Sequence, residues 1–391
     1  MVRYWLMKRS PAGLFDLYVL TALAKGFPVF CSVLLPVFYA EKLLTAKGLG
    51  YIGALFIGMT ITGALVVARW LHGLNTRRLL QLAAWGTIGG SALLFAGMAS
   101  RNILLLVLAY ALVGTAAGTA MSGVNALVAS TTTRGDRFKS IAKLSMAADA
   151  ARLVFPAAIA GLVAIGASKA AALVILAAAF VFLRFVSRQA AVDPPAVTAL
   201  AGGSMWRNRP FKFVLSLEFL DSFASSQLFV FLPLLFLAKG HSLQSSLLLQ
   251  TFLFMGYMSG RWLVSVVAKR SSGLRAVGIA ELGQVAAVLL LLVVQPLWVL
   301  YVLSFMLGIF ARGTSPAIKS LAFDSLDDSQ MKRGSAVHVV AGDSGSALGQ
   351  LLFGLFVAWY GVRTPFLAAA GVAAVIALLC IPRLSKLLSG R

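Results

Sequence analysis

Charge is scarce in this 391-residue chain: 12% of positions are charged and 60% are hydrophobic. A soluble domain carries about a quarter charged residues. A surface facing water must be covered by polar groups, so a water-soluble fold is excluded. Acids are scarcer than bases, 12 against 34, which gives a net charge of +22. The two cysteines, Cys31 and Cys380, sit in apolar runs at opposite ends of the chain. That excludes a disulfide framework. The three histidines, His72, His241 and His338, lie in separate places and form no ligand cluster by spacing. No CxxC, HExxH, GxSxG or phosphate-binding loop appears. An ATP-driven pump is therefore excluded, and neither an enzyme activity, a metal nor a cofactor is expected.

What is present in quantity is long apolar segments. A bilayer core needs roughly 20 apolar residues per helix. Twelve such segments are expected at 14–40, 49–71, 79–99, 102–128, 142–166, 168–187, 211–238, 243–268, 275–297, 298–323, 335–360 and 363–382. Period-2 alternation is absent, and helices satisfy their own backbone in lipid, so the fold class is an all-α membrane protein. Tight hairpins are expected at Gly166-Ala167-Ser168 and at Gln295-Pro296. The first segment has a basic flank, but its apolar run is too long for a signal peptide and no cleavage site follows, so it reads as a retained helix.

The bases are distributed unevenly. With the N-terminus inside, 22 of the 34 fall on the inner side and 6 on the outer, at Lys42, Lys47, Arg101, Lys169, Lys239 and Arg363. The remaining 6 lie within spans. This positive-inside split places both termini in the cytoplasm and the protein in the cytoplasmic (inner) membrane. The excess charge is then an orientation signal and an attraction to anionic lipid headgroups, not a nucleic-acid surface.

One pattern occurs twice. "ARWLHGLNTRR" at 68–78 is echoed by "GRWLVSVVAKR" at 260–270. "LLPVFYAEK" (34–42) faces "FLPLLFLAK" (231–239), "GTAMSGVNAL" (118–127) faces "GTSPAIKSL" (313–321), and Asp149 faces Asp343. The offsets all fall between 192 and 197, which points to an internal duplication. The longest polar stretch, 188–210, divides six segments from six. The expected organisation is an N-terminal bundle at 1–187, a cytoplasmic linker at 188–210 and a C-terminal bundle at 211–391.

On these residues the chain resembles the major facilitator superfamily. Arg69 to Arg78 looks like that family's loop between helices 2 and 3, with Arg77 and Arg78 at the terminal arginines and the usual Asp absent. Tyr110 stands where the family's helix-4 motif has Arg, before Gly114, and Pro156 and Gly161 alone match its helix-5 antiporter pattern. The resemblance implies two pseudo-symmetric six-helix bundles, a site near the membrane midplane and transport by alternating access.

Ionisable residues within spans usually face a cavity or a partner, because a buried charge in lipid costs several kcal/mol. Glu218, Asp221 and Ser225 share one face of helix 7 by spacing. Two close carboxylates in an apolar wall suit proton coupling, and Lys25 on the symmetry-related helix 1 is expected to face them. Asp149 and Arg152 on helix 5 are spaced to pair, while Asp343, Ser346 and Gln350 share a polar face on helix 11. Arg312, Ser315 and Lys319 form a stripe on helix 10, matched on helix 4 by Thr119, Ser122 and Asn125. The expected solute ligands are Lys25, Asn125, Arg152, Arg312, Ser315 and Gln350, whose positive charge suits an anionic or zwitterionic solute. Arg69, Arg77, Arg78, Arg261, Asp149 and Asp343 read as gate or interface residues near the cytoplasmic ends.

The reading is a proton-coupled secondary transporter, monomeric, with a small solute, H+ and membrane lipids as partners. A lipid or amphiphile flippase and a multidrug efflux pump remain as alternatives. A membrane sensor is disfavoured because no soluble sensing domain is present.

Overall fold

The computed structural model of the chain describes residues 11–69, 71, 74–131, 137–189, 208–267, 273–313, 315, 318, 321–322, 326 and 331–383. Twelve helical spans follow in order: α1 Pro11–Ala40, α2 Ala46–Arg69, α3 Thr76–Ser100, α4 Ile103–Thr131, α5 Arg137–Ala164, α6 Ala171–Arg188, α7 Arg209–Ala238, α8 Leu243–Val267, α9 Gly273–Val293, α10 Leu297–Gly313, α11 Met331–Tyr360 and α12 Thr364–Val375. A π turn, Ile376–Cys380, continues α12. Among the described residues there is no strand. Ten of these helices are long and apolar enough to cross a membrane, and α10 adds a shorter apolar run, Leu297–Ala311. The chain is a multi-pass membrane protein.

Two boundaries differ from the sequence expectation for one reason. α5 begins at Arg137 and α11 at Met331, before their apolar runs. Polar helical turns that project beyond an apolar stretch leave no trace in hydropathy. α7 is interrupted at Ser226, giving segments Arg209–Ser225 and Gln227–Ala238. Asn208 opens α7 by accepting the Phe211 N–H at 3.1 Å, with Pro210 in the first turn, where its missing N–H costs nothing. The hairpin after α5 turns on Gly166 at φ 71°, and that after α11 on Gly361 at φ 88°, a conformation that suits glycine.

The chain divides into two compact units, residues 1–37 with 55–197 and residues 38–54 with 198–391. In the first, α2 and α4 approach through glycine: Gly63 lies on the Thr115 carbonyl, Gly118 on the Thr60 carbonyl and Gly114 on the Phe56 carbonyl. In the second, α8 and α10 meet in the same way, with Gly256 on the Phe305 carbonyl and Gly308 on the Leu253 carbonyl. Gly256 follows Gly63 by 193 residues, the interval seen in the sequence echo. Small residues let backbones come close where no water drives helices together. Aromatic side chains fill the rest of the first unit, with Phe27 edge-on to Phe182 at 5.7 Å and Phe30 edge-on to Phe155 at 5.2 Å.

Candidate functional site

In the second unit, α7 carries the two acids that the sequence singles out, and both are buried: Glu218 at 5% exposure and Asp221 at 1%. They face different partners. Glu218 Oε2 lies 3.4 Å from Nε2 of His338 on α11. Its Oε1 accepts from Ser222 Oγ at 3.4 Å. The Asp221 carboxyl is near enough to the Glu281 carboxyl on α9 for the two to interact electrostatically. Glu281 is also buried, at 2% exposure. Cys380, in the π turn after α12, is in turn within electrostatic reach of Glu281. One turn beyond Asp221, Ser225 Oγ donates to the Asp221 carbonyl at 2.6 Å.

α11 can approach α7 this closely because it presents glycine. A Cβ at Gly342 would stand 2.8 Å from Glu218 Oε1, and Gly345 and Gly349 lie against the Phe219 and Phe223 carbonyls. Ser346 Oγ donates to the Ser222 carbonyl at 3.4 Å. Beside the seam opens a cleft of about 510 Å³, lined by Leu215, Ser216, Phe219 and Leu220 of α7 and Val337, Val340 and Ala341 of α11. Only Ser216 among these has a polar side chain.

Further along α7, Pro233 has no N–H to give the carbonyl four residues earlier, that of Phe229. Gln250 of α8 supplies the missing donor: its Nε2 donates to the Phe229 carbonyl at 2.5 Å. Lys239, just past the end of α7, donates to the Val294 and Leu292 carbonyls at 2.5 and 3.3 Å. That caps α9, whose last carbonyls lack helical partners.

Of the other expected residues in this unit, Gln350 is buried at 2% exposure, and its carbonyl packs against Gly50, whose residues fall in the same unit. Ser315 and Asp343 are half-buried. Arg261 is half-buried, beside an exposed Trp262. The side chain of Arg312 and all of Lys319 lie outside the described residues.

In the first unit, the helix-5 pair forms: Arg152 Nη1 lies 3.3 Å from Asp149 Oδ1, with the Asp side chain fully buried and the Arg 22% exposed. Lys25 on α1 is half-buried. Tyr110, at the place where the resembled motif has Arg, donates its hydroxyl to the Cys31 carbonyl at 2.7 Å and ties α4 to α1. Arg69 and Arg78 are exposed and Arg77 is half-buried. The Arg78 N–H is held by Asn75 Oδ1 at 2.9 Å, which caps α3. The side chain of Asn125 lies outside the described residues.

Sequence reasoning gave no role to His338, Glu281 or Gln250. Glu281 had a signal, being an acid inside an otherwise apolar span. Gln250 had one too, since Pro233 announces a freed carbonyl that needs a donor. His338 had none, because its partner is 120 residues away in the chain.

Apolar spans in two glycine-seamed units, with ionisable groups buried among the helices, define a polytopic helical membrane protein. Comparison names that architecture. Residues 251–389 match the family model of the Major Facilitator Superfamily. Solved structures match end to end. A POT family transporter in complex with 5-aminolevulinic acid aligns with a TM-score of 0.78 at 14% identity, covering 96% of this chain and 97% of that one. A D-xylose-proton symporter aligns with a TM-score of 0.76 at 14% identity, over 95% and 97%. A bacterial homologue of the human lysosomal transporter Spinster, in an inward-facing conformation, aligns at 0.72 and 15% identity, over 97% of each chain. No curated protein matches the sequence. The chain therefore shares the fold of these solved structures along its length, and its residues 251–389 are similar in sequence to the Major Facilitator Superfamily.

Proposed function

We propose that this protein is a secondary active transporter that moves a small anionic or zwitterionic solute across the cytoplasmic membrane by alternating access, coupled to protons. The observation that carries this reading is the pair of buried acids on α7, Glu218 and Asp221, each facing another ionisable side chain inside the bundle. Such groups are costly in a membrane-spanning bundle, and their usual role there is to bind an ion or a substrate. Structural relatives described as a D-xylose-proton symporter and as a POT transporter holding 5-aminolevulinic acid support the same reading.

In this account Lys25, Asn125, Arg152, Arg312, Ser315 and Gln350 contact the solute. Glu218 and Asp221 carry the proton. Arg69, Arg77, Arg78, Arg261, Asp149 and Asp343 act at the gates. The protein works as a monomer with both termini in the cytoplasm, as two six-helix repeats at 1–187 and 211–391 joined by the linker at 188–210.

The test is uptake into proteoliposomes under an imposed pH gradient, with a panel of dipeptides, 5-aminolevulinic acid, D-xylose and a lysophospholipid. Gradient-driven uptake of a panel solute, lost in Asp221→Asn while solute exchange survives, supports the reading. Uptake that ignores the gradient in wild type contradicts proton coupling. A second reading, amphiphile carriage, is favoured by the apolar cleft between α7 and α11. Transport of the lysophospholipid and of none of the polar solutes would select it.

A further inference from the structure

At one end of the second unit α7 finishes at Ala238, α9 at Val293 and α11 at Tyr360, while α10 and α12 begin. Lys239 ties two of these ends together, because its Nζ donates to the Val294 and Leu292 carbonyls. Trp298, Trp359 and Tyr360 are all exposed at this end. Exposed Trp and Tyr rings collect where apolar spans meet lipid headgroups. Between the helix ends opens a niche of about 190 Å³, lined by Tyr39, Leu234, Leu237, Ala238, Val357 and Val362, all of the second unit. Apart from the Tyr39 hydroxyl, its side chains are apolar. Pockets that enclose a whole drug-sized ligand run to about 300–1,000 Å³, so this niche has room for a segment of apolar chain and not for a complete amphiphile.

Two of the lining residues are followed directly by bases, Ala238 by Lys239 and Val362 by Arg363. The two bases stand within electrostatic reach of each other. Burial, and after it the Arg363 guanidinium, hold the Lys239 ammonium below its ordinary pKa. Among the described residues neither base pairs with a carboxylate. An ammonium has three N–H groups, and Lys239 spends two of them on the α9 carbonyls. The exposed Arg363 side chain makes no hydrogen bond among the described residues. The sequence assigns only 6 of the 34 bases to this side of the membrane. Orientation by charge therefore does not account for two of them standing together.

We propose that this niche binds an anionic phospholipid of the membrane, with its phosphate between Lys239 and Arg363 and a stretch of one acyl chain against Leu234, Leu237 and Val357. Charge and shape both select this occupant. Adjacent bases at headgroup level attract anionic lipid. A soluble anion would leave the apolar wall unused, and a zwitterionic lipid would bring a cation of its own to a site that already holds two. The site stands apart from Glu218 and Asp221, which α7 carries nearer its start, and it does not depend on the transport reading.

The test needs a local readout, because bases elsewhere in the chain also attract anionic lipid. Tyr360→Cys with Cys380→Ser leaves one accessible thiol, since Cys31 is buried, and that thiol carries a fluorophore beside the niche. The labelled protein is reconstituted in phosphatidylcholine vesicles containing a minor fraction of phosphatidylglycerol with brominated chains, or the same fraction of brominated phosphatidylcholine. Quenching should show phosphatidylglycerol preferred about tenfold or more, since each nearby base contributes about fivefold. Arg363→Gln should lower that preference about fivefold, and Arg363→Lys should hold it within about twofold of the starting protein. Arg101→Gln, a base of the first unit, should leave it unchanged. Val357→Phe, which fills the niche without altering charge, should reduce quenching by phosphatidylglycerol. Equal quenching by the two lipids, a preference unchanged in Arg363→Gln, or quenching unchanged in Val357→Phe overturns the proposal. So does displacement of phosphatidylglycerol by inorganic phosphate at constant ionic strength, which would assign the two bases to a soluble anion.

Discussion

The bond from Gln250 to the Phe229 carbonyl permits a quantitative test of how α7 is held. Pro233 breaks the helical ladder at Phe229, and a side chain from α8 replaces the lost donor at 2.5 Å. Gln250→Leu keeps the volume and removes the donor. Side chain hydrogen bonds between membrane helices contribute about 0.6 kcal/mol on average and up to about 1.7. Leaving a buried carbonyl unmet costs about 1–3 kcal/mol. Gln250 is itself fully buried, so its bond belongs toward the upper part of the first range. The expected loss is about 1–2 kcal/mol.

Pro233→Ala supplies the control, because alanine restores an N–H that can reach the Phe229 carbonyl directly. In that background Gln250→Leu should cost less than about 0.5 kcal/mol, giving a coupling of about 1 kcal/mol between the two positions. The assay is equilibrium unfolding of the four proteins in mixed detergent micelles. Equal losses from Gln250→Leu in both backgrounds would show that Gln250 does not substitute for the missing proline donor, and the reasoning would be wrong.

Three further outcomes follow from the packing. Gly308→Leu should destabilise the second unit by about 1–3 kcal/mol or prevent its assembly, because backbone atoms of Leu253 and Gly256 occupy the space a Cβ would need; Gly371→Ala, which meets nothing within 4 Å, should change stability by less than about 0.5 kcal/mol in the same unfolding assay. Arg152→Met should cost about 1–3 kcal/mol by removing a charged partner of the buried Asp149 carboxyl, and the double change Asp149→Asn with Arg152→Met should cost less than the sum of the two single changes in thermal denaturation. Lys239→Met should cost about 1 kcal/mol and speed amide hydrogen exchange in the last turn of α9, whose Val294 and Leu292 carbonyls lose their donor.

The helices were legible in the sequence because lipid imposes a simple rule: each backbone group must be satisfied within its own span. The glycine seams were half legible. Gly63 and Gly256 sit at the interval the echo predicts, but which carbonyl each would meet depends on helix rotation, which a one-dimensional pattern does not contain. The spacing of Asp149 and Arg152 was enough to predict their pairing, since a helix brings residues three apart together. Glu218 and Asp221 were found for the same reason, and their partners were missed for the converse one. His338 and Glu281 reach α7 from other helices, and no local spacing connects them to it. The apolar content that identified the spans also hid Gln250, which looks like any polar residue in an apolar run until Pro233 is seen to leave a carbonyl without its donor.

Proton movement itself is the most direct measure of the central claim. Purified protein is reconstituted into liposomes that enclose a pH-sensitive dye, and each solute of the panel is added without an imposed gradient. The account predicts that at least one solute drives a proton flux in wild type, that Asp221→Asn abolishes that flux, and that exchange of the same solute persists in the variant. Solute transport with no accompanying change in internal pH, or a flux undiminished in Asp221→Asn, would contradict it.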